Sequence, residues 1–197
     1  MLMEAAMRSF EPDISRTENY VTSSSGHFRV YYDSAQVSSL VASAVASVFD
    51  SVDSKFYYSW GFLRPYYDSN TSFYNVYLVN TSAYAGQTPL YGTDGSYINI
   101  SISTATSIAN NGGLPGYPYA DYGVIAHEYM HAILYRYGIM YDTSERQWMH
   151  ESFASWAGIA YKTDYAAIAS DRVNQFTSTP YETVTFFTSG GNTNLRH

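Results

Sequence analysis

Five residues, His127-Glu128-Tyr129-Met130-His131, constrain this chain more than any other stretch of it. Residues four apart on an α-helix lie on one face, one turn above each other. A helix here aims two imidazoles at a single point, with Glu128 beside that point and not needed as a ligand. This is the pattern of a metal hydrolase that carries its own general base. The flanks agree with it. Tyr122-Gly123-Val124-Ile125-Ala126 and Ala132-Ile133-Leu134 are mostly apolar, which predicts a mostly buried helix. Two buried imidazoles and a buried carboxylate need partners, and a metal ion satisfies all three together. A surface helix with two unrelated histidines would not need such flanks.

A second cluster, Trp148-Met149-His150-Glu151-Ser152-Phe153-Ala154-Ser155-Trp156, follows, and Glu151 stands 20 positions after His131. That interval holds a helix end at Gly138, a loop and cap over Asp142-Thr143-Ser144-Glu145, and a second helix from about Arg146 to Tyr161. Antiparallel packing of the two helices can bring Glu151 to the histidines. Two His, one Glu and an open fourth position make a tetrahedral catalytic zinc site. His150 is rotated by about 100° from Glu151 on a helix, so it reads as a substrate-side or structural residue and not a ligand. Ser155, one turn after Glu151, can reach a ligand histidine. Its alternative role is that of a small residue permitting close helix packing.

His127, Glu128, His131 and Glu151 together resemble the gluzincin metallopeptidases, the group of thermolysin and aminopeptidase N. The interval from His131 to Glu151 is similar to thermolysin's. The text Trp148-x-x-Glu151-Ser152-Phe153-Ala154 looks more like the aminopeptidase branch, with His150 where that branch usually has Asn. The resemblance extends weakly over residues 26–165, to small peptidase MA-like domains. It implies Zn2+ held by His127, His131 and Glu151, and Glu128 as general base for hydrolysis of a protein or peptide substrate. It also implies an α+β fold, with a twisted, mainly antiparallel sheet packed on the zinc helix and on the helix bearing Glu151. In gluzincins a strand above the zinc helix pairs with extended substrate. Residues 95–102 are the candidate, with Tyr97, Ile98, Asn99 and Ile100 as substrate-binding residues. That segment lacks the G-x-M-E-N signature of aminopeptidases, so an endopeptidase is favoured. The alternative is a latent or non-catalytic gluzincin-like surface or binding module. An intact Glu128 argues against it.

The remaining pattern is consistent with one domain. Residues 1–25 read as a flexible leader, 26–176 as the metallopeptidase domain, and 177–197 as a polar tail or the start of a further region. Phe28, Val30 and Tyr32 alternate as in a strand. Val37, Leu40, Val41, Ala44, Val45, Val48, Phe49 and Val52 recur at helical spacing. Residues 73–79 and 97–102 predict two further strands, residues 80–95 a loop, and residues 164–176 another helix. A net charge of −7 with two lysines, Lys55 and Lys162, gives no basic stripe, which excludes ordinary nucleic-acid binding. No apolar run reaches the ~20 residues that span a bilayer. There are no cysteines, so no disulfide contributes. The polar residues are mainly Ser, Thr, Asn and Tyr, a composition commoner in extracellular or cell-surface proteins.

Overall fold

The computed structural model describes residues 19–67, 72–91, 95–110, 121–139 and 144–161. The chain is α+β. Five strands form one sheet in the order β1-β2-β3-β7-β4: β1 (Tyr20–Thr22), β2 (Phe28–Tyr31), β3 (Tyr74–Val79), β4 (Gly86–Gln87) and β7 (Ile98–Ser101). A small hairpin pairs β5 (Leu90–Tyr91) with β6 (Gly95–Ser96). Four α-helices are described: α1 (Ser39–Ser54), α2 (Ile102–Asn110), α3 (Asp121–Arg136) and α4 (Ser144–Ala160). The sequence reading expected a mainly antiparallel sheet. Over both sheets three of the five strand pairs are antiparallel, one of them the separate hairpin. In the five-stranded sheet the outer pairs β1–β2 and β4–β7 are antiparallel. The two central pairs, β2–β3 and β3–β7, are parallel.

The parallel centre has a plain cause. The connection from β2 to β3 runs through α1, a crossover long enough to return the chain in the same direction. All six residues of β3 are buried, as a central parallel strand requires. Helix α1 buries Ala42, Val45, Ala46, Val48, Phe49 and Val52. Its opposite face carries a serine ladder: Ser43, Ser47 and Ser51 each donate to the carbonyl four residues back, at 2.8, 3.0 and 3.0 Å. Leu40 belonged to the expected apolar stripe, yet it is 78% exposed and falls on the serine face. Burying a side chain such as Phe49 stabilises the fold by about 1.5–3 kcal/mol, and Phe49→Ala would cost about 3–5 kcal/mol.

Four elements differ from the sequence reading. Residues 20–22, assigned to the leader, pair antiparallel with β2 as an edge strand. Residues 86–87 and 90–91, assigned to a loop, form β4 and β5. Helix α2 starts directly from β7, capped by Ser101, whose Oγ accepts from the Thr104 amide at 3.1 Å. The helix expected at 164–176, the polar tail and most of the leader lie outside the described residues. Among the described residues, no helix is long and apolar enough to cross a membrane.

Candidate metal centre

Helix α3 holds the motif in place through its first variable residue, Tyr129. Tyr129 packs against Phe28, Phe49, Phe56 and Tyr74, with ring centroids 5.5–6.3 Å apart. Its hydroxyl donates to Asp53 Oδ1 at 2.7 Å. Asp53 in turn accepts from Arg64, through Nε at 3.0 Å and Nη2 at 2.8 Å. One face of α3 is thereby bolted to α1, and the opposite face presents His127 and His131. The helix stops at Gly138, which takes φ +72, the left-handed conformation that glycine adopts without strain.

Helix α4 reaches α3 because both are thin where they cross. A Cβ placed on Gly158 would lie 2.8 Å from the Gly123 carbonyl oxygen and 3.5 Å from His127 Cβ. Only glycine permits this approach. It sets Glu151, two turns earlier on α4, against the two histidines. Nε2 of His127 and Nε2 of His131 lie 3.1 Å apart. Glu151 Oε2 is 3.4 Å from His127 Nε2, and Oε1 is 3.6 Å from His131 Nε2. One ligand atom from each of the three residues lies within 4.8 Å of the other two, and the group can hold a metal ion. The donor chemistry fits: two imidazole nitrogens and a carboxylate, partly shielded from water, converge on one point.

The charges respond to this crowding. Burial opposes the charged form of His127, but the Glu151 hydrogen bond and the charges of Glu128 and Glu151 outweigh it, and its pKa is raised. Burial also opposes the charged form of Glu151. Its bonds to His127 and His131 win, and its carboxyl is held far below the usual range.

Glu128 is buried and stands outside the ligand set. Its Oε2 accepts from Thr88 Oγ1 at 2.7 Å, and the same hydroxyl lies 2.8 Å from the Glu128 backbone carbonyl. The strand before Thr88 sits directly over this side chain: a Cβ on Gly86 would meet Glu128 Cγ at 2.6 Å and Val124 Cγ1 at 2.8 Å. Tyr135, one turn beyond His131, donates to the Thr88 carbonyl at 3.4 Å. Burial first, then the nearby Glu128 and Glu151 charges, push its phenol up to about 12.

Tyr97, Ile98, Asn99 and Ile100, the expected substrate-binding residues, are not on an edge. Strand β7 is covered by β3 on one side and β4 on the other, and all four residues are buried. On that side the strand that ends the sheet is β4, and β1 is the other edge. Ser155 makes no hydrogen bond to a ligand histidine among the described residues; the group on His131 is His150. His150 is fully buried, so it is not a substrate-side residue. Its pKa is lowered, with burial the first cause. Gly86, Thr88 and the Gly123–Gly158 crossing were missed from sequence. The one available signal was a glycine inside each of two predicted helices.

Comparison with family models, with curated proteins and with solved structures returned no match.

Proposed function

We propose that this chain is a zinc-dependent peptide hydrolase of gluzincin type, with endopeptidase activity favoured. One observation carries the reading: His127, His131 and Glu151 converge, while Glu128, from the same turn of helix, is kept out of the ligand set. A structural metal site has no use for a buried spare carboxylate. His127, His131 and Glu151 would hold the ion. Bound zinc supplies Lewis acidity and brings the pKa of a water to around 7. Glu128 takes the proton of the attacking water and passes it to the departing amine. Strand β4, at the sheet edge and against Glu128, is where an extended peptide can add as a further strand.

The test is metal content and turnover together. Purified protein supplied with zinc should hold one ion per chain and cleave an unstructured substrate such as casein. His131→Ala should lose both. A parent chain that takes up no zinc would overturn the reading, and zinc uptake without cleavage of casein or aminopeptidase substrates would turn it into that of a metal-holding module.

A further inference from the structure

We propose that His150 is a positioning residue that fixes the tautomer of His131, so that the nitrogen facing the metal is the one without a proton. The inference rests on the metal reading above and adds to it the device that prepares one ligand.

His150 Nε2 lies 2.5 Å from the Ile139 carbonyl oxygen. A carbonyl only accepts, so Nε2 of His150 carries a proton. His150 is fully buried against a carbonyl and an imidazole, neither of which neutralises a cation, so the ring is in its one-proton form and its Nδ1 is a bare acceptor. That nitrogen lies 2.8 Å from His131 Nδ1. His131 must then be the donor, protonated at Nδ1 and bare at Nε2. Nε2 is the atom that faces His127 Nε2 and Glu151. The ring planes of His131 and His150 agree within 15° at a centroid separation of 5.1 Å. A 2.8 Å nitrogen contact is shorter than the about 3.5 Å between stacked faces, so the rings meet edge to edge, the geometry of a hydrogen bond. Tyr135 packs on His150 with centroids 4.9 Å apart. Ligand histidines usually give this proton to a carboxylate, a carbonyl or water. Here an imidazole stands between the ligand and the carbonyl.

Sequence position alone hid this role. His150 precedes Glu151 and faces away from it, which places its ring beside the ligand of the other helix.

The first measurement uses the metal-free parent chain. A long-range proton–nitrogen correlation spectrum of its histidine rings should show His131 protonated at Nδ1. Protonation of His131 at Nε2 in the folded chain would overturn the proposal, with no variant needed. The second measures zinc affinity by competition with a chromophoric chelator. His150→Phe keeps the ring volume and removes the acceptor, and it should weaken zinc binding by about 10–100-fold. His150→Asn puts an amide oxygen near the position of Nδ1 and should recover most of that loss. Unchanged affinity in a folded His150→Phe chain would overturn the proposal and leave the metal site standing. A parent chain that binds no zinc would instead bring down the metal reading and this role with it.

Discussion

The Thr88 hydroxyl stands 2.7 Å from Glu128 Oε2 and 2.8 Å from the Glu128 backbone carbonyl oxygen. One side chain from the loop after β4 thus fixes both the carboxylate and the helix turn that bears it. Thr88→Val keeps the shape and removes the donor. A buried carboxylate left without that partner should cost about 1–3 kcal/mol. Urea unfolding of parent and variant measures it, and a midpoint within error of the parent would show the bond to be without net value.

The crossing of α3 and α4 offers a second test. In Gly158→Ala the new methyl would sit 2.8 Å from the Gly123 carbonyl oxygen, closer than real Cβ contacts allow. The backbone there cannot swing aside as a long side chain does. Overpacking of this kind costs about 1–3 kcal/mol. The helices must part where Glu151 is positioned, so zinc affinity should fall by about tenfold or more. Chelator competition reads it. Stability lost with affinity unchanged would mean that the crossing does not set the ligand distance.

Much of this site was legible because helical periodicity is local. His127, His131 and Glu151 could be placed from spacing, and Gly138 ends α3 where the sequence put it. Edge position is not local. Residues 97–102 alternate as a strand at any place in a sheet, and only the pairing of β4 with β7, Gly86 to Ile100 and Gln87 to Asn99, makes them internal. A two-residue strand rich in Gly and Thr surroundings leaves no periodic trace. Leu40 is a different case, since at 100° per residue it falls opposite Val45, Phe49 and Val52, and local helical geometry already separates it from the buried stripe.

Asp53 ties α3 to α1, and its loss should be felt as stability. Asp53→Ala removes the acceptor of both Tyr129 and Arg64. Breaking a buried ion pair from one side costs about 3–5 kcal/mol. Arg64 is partly wet, which places the expected cost near the lower end. Zinc stoichiometry at saturating zinc should persist, because none of these atoms touches a ligand. A urea midpoint equal to the parent's would refute the assigned role.

The His127–Glu151 contact predicts opposite pH trends for the metal-free and metal-bound chain. The His127 pKa is raised above its ordinary 6.5, so its contribution to stability is fully present below that value and lost as pH rises through the folded pKa. The Glu151 pKa is depressed below 4.5, so its contribution is present above that value and lost as pH falls through the folded pKa. In zinc-free protein the pair therefore stabilises most between these two ordinary values. Parent minus Glu151→Gln stability should shrink from about pH 6 to about pH 8. Zinc binding needs His127 without its proton. Affinity should rise over the same interval, by up to about tenfold per pH unit while one proton competes. Affinity flat across that range would show that His127 is not a ligand.

Glu128→Gln separates a catalyst from a metal-holding module. Gln is nearly the shape of Glu, and its amide oxygen can still accept from Thr88, so the fold and β4 should be retained. Zinc should also be retained, because Glu128 lies outside the ligand set. The amide cannot take a proton from water. General acid–base groups contribute about 10²–10⁴-fold, and turnover should fall by that factor. Parent and variant, purified alike, are compared on casein and on aminopeptidase substrates, with zinc determined by elemental analysis of the same samples. Loss of turnover with zinc kept assigns proton transfer to Glu128. Equal turnover removes Glu128 from the reaction and assigns the cleavage to another group or to a contaminant.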